Sequence, residues 1–203
     1  MKVVEIFQSI QGEGPEIGTP TLFIRLAGCN SKCKFCDTKY SWKGGKEYSI
    51  NQIIDKIVKS GMYHITWTGG EPTLQIKEIR EVIRILGFEY KHSIETNGSL
   101  IHDMLPEFNC IVVSPKFDTL KEAFVPGGAY IKCVCRDKKD VKKWLDIINQ
   151  MNLNKSRCYF MPEGTTDKEL RKKSLWLIEE CKKNNIKFSP RLQVWLWKKR
   201  RGK

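Results

Sequence analysis

Cys29-Asn30-Ser31-Lys32-Cys33-Lys34-Phe35-Cys36-Asp37-Thr38 carries three cysteines within eight residues, separated by gaps of three and then two. A cubane iron–sulfur cluster wants four ligands, normally thiolates. Three local thiolates hold three irons and leave the fourth open to a small molecule. A disulfide reading is poor, because three is odd and so tight a spacing closes no useful loop. Zinc is the serious rival, but a structural zinc site needs a fourth ligand from elsewhere. No Cys-x-x-Cys or His-x-His partner follows, and Cys133-Val134-Cys135 has the wrong gap and reads as strand. The residues support an open cluster.

This spacing resembles the Cys-x3-Cys-x2-Cys motif of the radical S-adenosylmethionine (SAM) superfamily. The resemblance implies a [4Fe-4S] cluster whose unique iron is chelated by SAM, and reductive cleavage of SAM to a 5′-deoxyadenosyl radical.

Working outward, Thr21 to Ala27 is β-rich and leads into the cluster loop. Arg25 interrupts this otherwise apolar strand and needs an anionic partner. Two are open: an internal carboxylate, or a substrate carboxylate held in a bidentate fork. Upstream, Val3 to Phe7 reads as a strand, and Gln8-Ser9-Ile10-Gln11-Gly12-Glu13-Gly14-Pro15 as a loop. Gln11 and Glu13 there suit the hydrogen-bonding edge of a heterocycle.

Downstream, Ser49 caps a helix with Ile50, Ile53, Ile54, Ile57 and Val58 at core spacing, and Gly61 stops it. His64 to Trp67 is the next strand, ending in Thr68-Gly69-Gly70-Glu71-Pro72. Its paired glycines allow close backbone approach to a ligand. Glu71 suits an ammonium group or a capping role. A helix with Ile76, Ile79, Val82, Ile83 and Leu86 follows.

Further strands are expected at Ser93–Thr96, Cys110–Val113, Ala129–Cys135 and Arg157–Met161, and a last one at Pro190–Trp197. Helices are expected around Val141, Trp144, Leu145 and Ile148, and around Leu170, Leu177, Ile178 and Cys181. Alternating strands and helices predict an α/β fold of parallel βα units. The chain is too short for a closed eight-unit barrel, so a shortened, open (β/α) barrel with about six core parallel strands is expected. Cys110, Cys133, Cys135, Cys158 and Cys181 read as core.

At 203 residues a single domain over 1–203 is expected, with a basic tail at 198–203. No run approaches a membrane span, and Met1 to Glu5 lacks the apolar region of a signal peptide. Eight cysteines without such a signal point to the cytoplasm. The net charge of +13 invites a nucleic-acid reading. Dispersed lysines fit a solvated surface better, and Trp144 and Trp176 sit in amphipathic helices rather than on a stacking platform.

Across most of its length the chain resembles the 7-carboxy-7-deazaguanine synthase family. The stretches concerned are Phe7–Gly14, Phe23–Cys29, Cys36-Asp37-Thr38, Thr68–Pro72, Glu95-Thr96-Asn97-Gly98, Ser114-Pro115-Lys116 and Pro190-Arg191-Leu192-Gln193. The resemblance implies a homodimeric carbon–nitrogen lyase of queuosine or archaeosine biosynthesis using a [4Fe-4S] cluster, SAM and Mg2+. It would convert 6-carboxy-5,6,7,8-tetrahydropterin to 7-carboxy-7-deazaguanine with loss of ammonia, drawing electrons from a flavodoxin or ferredoxin. By carry-over, Cys29, Cys33 and Cys36 hold the cluster, and Ile10, Gln11, Gly12, Glu13, Arg25 and Thr68 contact substrate. Phe35, Cys36, Asp37, Gly70, Glu71, Ser114, Pro115, Lys116, Met161, Pro162, Glu163 and Gly164 line the SAM site, and Thr38 gives its hydroxyl to Mg2+. No residue is assigned a catalytic role beyond the cofactors. Trp197-Lys198 stands where many members have His-Lys, so C-terminal substrate contacts are not carried over. The rival readings are a glycyl-radical activating enzyme and a metal-containing nucleic-acid module.

Overall fold

A computed structural model describes residues 1–34, 36–100, 107–117, 128–198 and 200–203. Its strands β1 (Lys2–Ile10), β2 (Pro20–Leu26), β3 (Lys46–Glu47), β4 (His64–Gly69), β5 (Lys91–Thr96), β6 (Cys110–Val113), β7 (Tyr130–Cys135), β8 (Cys158–Pro162) and β9 (Lys187–Phe188) form one sheet in the order β3-β1-β2-β4-β5-β6-β7-β8-β9. From β2 to β9 every neighbouring pair is parallel, whereas β1 is antiparallel to both β2 and β3. The order is linear and does not close, which is the open, shortened barrel expected.

Helices α1 (Ile50–Ser60), α2 (Ile76–Leu86), α3 (Lys138–Gln150) and α4 (Asp167–Asn184) supply crossovers between parallel strands. Ser49 and Gln52 form the expected capping box at α1, and Gly61 ends it in the left-handed region. Ile53 and Ile57 are sealed in the core, but Val58 is exposed: it belongs to the solvent side of the helix. Two apolar clusters fill the interior. One gathers Ile24, Leu26, Ile53, Ile57, Trp67 and Ile79, and the other Cys133, Trp144, Phe160, Leu177 and Cys181. Each large side chain so buried stabilises the fold by about 1.5–3 kcal/mol. All five cysteines expected in the core are buried.

Two expectations are corrected. Gln8, Ser9 and Ile10 are strand, not loop: they pair with Leu22, Thr21 and Pro20, so β1 carries the chain to the edge of the pocket described below. Their polarity reflects a half-exposed strand rather than a turn. Pro190 to Trp197 is not a final strand. The sheet edge is taken by β9, and Pro190, lacking an N–H, cannot extend the ladder. Leu192–Trp197 forms a short helix, α5, whose only buried side chain is Val194. The apolar run had no period to distinguish the two structures.

His92 on β5 accepts a hydrogen bond at Nδ1 from the Trp67 indole (3.1 Å) inside the core. Burial lowers its pKa from 6.5 to about 4. The folded chain therefore binds fewer protons there than the unfolded one, so stability is complete above pH 6.5 and falls as the pH drops toward 4. The loss at the acid end is on the order of 3 kcal/mol. Chemical denaturation of His92→Asn across this range should show that part of the pH dependence gone; an unchanged profile would assign it elsewhere.

Candidate functional site

Parallel pairing of β2 with β4 aligns Leu26 with Gly69, so the cluster loop and the Gly69-Gly70 turn leave the sheet side by side. Gly70 N donates to Leu26 O (3.1 Å) and Glu71 N to Gly28 O (2.8 Å). A Cβ on Gly70 would lie 1.9 Å from Gly28 O, so only glycine permits this approach. The turn acts as the floor of the cluster loop.

Glu71 is fully buried, and its carboxylate receives four hydrogen bonds. They come from Thr73 N (3.0 Å), Thr73 Oγ1 (2.6 Å), Thr96 Oγ1 (2.7 Å) and Asn97 N (2.7 Å). Three of them reach Oε1 and only the one from Asn97 reaches Oε2, so Oε2 keeps a second acceptor position. Of the two roles that the sequence left open, the structure shows the capping one: Glu71 joins β4 to β5. Asn97 extends the junction through Nδ2 to Asn30 Oδ1 (3.0 Å) and Ser31 Oγ (3.2 Å), bracing the cluster loop.

Cys29, Cys33 and Cys36 are half-exposed, unlike the five core cysteines. Burial pushes the Cys29 thiol up, with the fields of Glu71, Cys33 and Cys36 adding to it. The donor set is three neighbouring soft thiols on one loop, which suits an iron–sulfur cluster. Among the described residues no three His, Cys, Asp or Glu side chains converge on one metal-ion position. A cubane does not require that, since each thiolate takes its own iron.

The cavity beside this loop has a volume of about 570 Å³, within the range of small-molecule sites. It brings together most of the sequence-derived site residues. Ile10, Gln11, Gly12, Glu13, Arg25 and Thr68 line it along with Cys36, Asp37, Thr38, Gly70, Ser114, Lys116, Met161, Glu163 and Gly164. Pro115 and Pro162 are buried beside it, and Phe35 lies outside the described residues. Thr38 Oγ1 donates to Asp37 Oδ1 (2.7 Å). Lys116 Nζ donates back to Ser114 O (2.7 Å) and Oγ (3.0 Å), and burial lowers its pKa.

Arg25 finds the internal partner that its sequence context left open: its Nε donates to Glu5 Oε1 (2.7 Å). Its guanidinium also lies over Phe7 (5.8 Å) and Tyr40 (6.0 Å). Tyr40 in turn donates its hydroxyl to Glu5 (2.9 Å).

The Gln11–Glu13 loop holds what the sequence did not reveal. Lys132, in the middle of β7, donates to Glu13 Oε2 (2.7 Å) and Glu95 Oε2 (3.2 Å). Glu13 Oε1 accepts from Arg191 Nε (3.0 Å) and Gln193 Nε2 (2.6 Å). Gln11 is also engaged, donating to Glu95 Oε1 (3.0 Å) and accepting from Glu13 N (3.1 Å). Burial alone would raise the Glu13 carboxyl; Lys132 and Arg191 outweigh it and hold the group far below the usual carboxylate range. Glu13 is thus held by Lys132, Arg191 and Gln193, and its carboxylate is the hub of the loop. A lysine inside an apolar strand was a readable signal for Lys132, by the reasoning applied to Arg25. Arg191 sits in an apolar stretch too, in the Pro190–Gln193 run singled out by the resemblance, but its partners are not readable from the sequence.

The basic tail lies on the same cavity. Lys198, Arg200, Arg201, Gly202 and Lys203 line its mouth, with the Arg201 guanidinium 3.7 Å from the Tyr40 ring centre and 3.6 Å from Glu5 Oε2.

Residues 23–177 match the Radical SAM superfamily model. The chain is 33% identical to the 7-carboxy-7-deazaguanine synthase of Hyperthermus butylicus, over 96% of this chain and 92% of that protein. It is 32% identical to the synthase of that name from Bacillus cereus, over 98% of each. The crystal structure of QueE from Escherichia coli superposes with a TM-score of 0.75 at 24% identity, over 94% of this chain and 93% of that one. That likeness supports the fold.

Proposed function

We propose, from the premise that this chain belongs to the 7-carboxy-7-deazaguanine synthase family of the radical SAM superfamily, that it converts 6-carboxy-5,6,7,8-tetrahydropterin to 7-carboxy-7-deazaguanine with loss of ammonia. The chain is an enzyme of 7-deazapurine biosynthesis. The observation that carries the specific reaction is one cavity of about 570 Å³, in which cluster-loop residues and the Gln11–Glu13 loop face a common space. A SAM molecule and a pterin need to meet in one water-restricted volume for a hydrogen atom to pass between them.

Cys29, Cys33 and Cys36 would hold the cluster, and Gly70, Ser114, Lys116, Met161, Glu163 and Gly164 would line the SAM site. When bound, cluster and SAM supply a one-electron cleavage that yields a carbon radical; the protein's part is orientation and charge. Glu5 occupies only Nε of Arg25, which leaves the terminal nitrogens of the guanidinium for a bidentate grip on the pterin carboxylate. Thr68 and the backbone of Ile10 to Gly12 form the wall beside it. Gly12 packs so closely on Gln193 that an added Cβ would sit 2.0 Å from its Oε1. The wall is therefore backed directly by Gln193 at this point.

Thr38 would give its hydroxyl to Mg2+, an ion that prefers oxygen and few protein contacts. Thr38→Val preserves the shape and removes the oxygen. Turnover and its Mg2+ dependence should both fall while iron content is unchanged; an unaltered Mg2+ response would take the metal away from Thr38. Electrons would come from a small carrier such as a flavodoxin or ferredoxin, and the active form would be a homodimer in the cytoplasm. No helix among the described residues is long and apolar enough to cross a membrane.

The decisive assay is anaerobic: reconstituted protein, reductant, SAM and the carboxytetrahydropterin, with mass analysis of the products. SAM-dependent formation of 7-carboxy-7-deazaguanine is expected. Cleavage of SAM without conversion of the pterin would overturn the substrate assignment.

A further inference from the structure

Three loops that carry different parts of the site converge on one side chain. Arg191, buried at the start of α5, donates through Nε to Glu13 Oε1 (3.0 Å) on the substrate-side loop. Through NH2 it reaches Asp37 Oδ2, next to Cys36 on the cluster loop, and through NH1 the carbonyl of Gly164 on the loop after β8. Each nitrogen of the guanidinium serves a different loop. A planar fork with donors in fixed directions can do this; a single ammonium cannot.

The neighbouring backbone reinforces the arrangement. Leu192 N donates to Gly12 O (3.0 Å), and Gln193 Nε2 takes a second position on Glu13 Oε1 (2.6 Å). Gly164 is pinned from the other side, where an added Cβ would lie 3.1 Å from Leu170 Cδ2. Among these partners only Arg191 spans all three loops.

We infer that Arg191 is a positioning residue that sets the pterin-side loop, the cluster loop and the SAM-side loop in one fixed relation, so that affinity for pterin and affinity for SAM depend on the same guanidinium. The inference rests on the proposed assignment of the cavity to those two ligands.

The test uses reconstituted holoprotein, wild type and Arg191→Lys, under anaerobic conditions. SAM binding is followed by the EPR signal of the reduced cluster, pterin binding by equilibrium dialysis, and the ratio of 5′-deoxyadenosine to product by mass analysis. Arg191→Lys keeps the charge and breaks the three-way geometry. Cluster content should stay at the wild-type level, both affinities should weaken by about tenfold, as for one charge-assisted bond lost on each side, and 5′-deoxyadenosine should exceed product. If that variant does not fold, Glu13→Gln loosens the same clamp from the pterin side alone, and SAM affinity should still fall. A variant in which only one affinity moves, or in which melting temperature drops with both affinities intact, overturns the inference. Wild-type protein that bound neither ligand would instead bring down the cavity assignment, and the clamp with it.

Discussion

Replacing any one of Cys29, Cys33 and Cys36 with alanine should abolish the reconstituted cluster. Two remaining thiolates cannot hold a cubane, and no substitute thiol is at hand. The other five cysteines are buried within strands and helices, and burial drives the thiols of Cys110 and Cys181 up to about 12 and that of Cys158 to about 11. The expected result is complete loss of bound iron and sulfide and of the visible absorption, with folding retained. Cys158→Ala serves as the control and should keep its cluster. Full cluster content in a triple Cys29, Cys33 and Cys36 variant would sink the assignment.

A second large effect is expected at Lys132. Its ammonium is the shared cation of Glu13 and Glu95, all three being largely withdrawn from water. Lys132→Met leaves two carboxylates facing each other in a poorly solvated space. Removing one partner of a buried ion pair costs about 3–5 kcal/mol, so the denaturation midpoint should fall sharply and pterin binding should be lost with it. The sign of the pH dependence follows. Glu13 has a lowered pKa, so its contribution is present above the ordinary value of 4.5 and is lost as the pH falls into the acid range. Lys132 has a raised pKa, so its share is present below the usual lysine value and is lost only in strong alkali. Between those limits Glu13 and Lys132 both stay charged, and stability from this pair is flat. A loss under about 1 kcal/mol, small against the cost of breaking a buried pair, with normal pterin affinity, would show that the pair is not structural.

Much of this architecture is legible in the sequence. Ser49, Gln52 and Gly61 announced both ends of α1, and the 3.6-residue spacing of isoleucines declared its buried face. Three cysteines in one loop and the Gly69-Gly70 pair were legible because their chemistry is local. What escaped notice was non-local. Glu71 draws two of its four donors, Thr96 and Asn97, from the next strand, which no local pattern shows. The partners of Glu13 are as remote: Lys132 and Arg191 lie 119 and 178 residues further on. Residues 192–197 failed for a different reason: an aperiodic apolar hexamer is compatible with either structure, and the choice was made by Pro190 and by β9 occupying the sheet edge.

The division of the eight cysteines into three half-exposed and five buried also governs how the purified protein ages. Thiol oxidation and alkylation proceed through the thiolate and need access. The buried five are protonated and enclosed, so a sample left in air is attacked at the cluster loop first. Damage there is silent to a melting curve, because the core sulfurs that support the fold are untouched. A preparation can be monodisperse, folded and dead, and quantitative labelling of accessible thiols under native conditions would count how many chains still have a loop able to take iron.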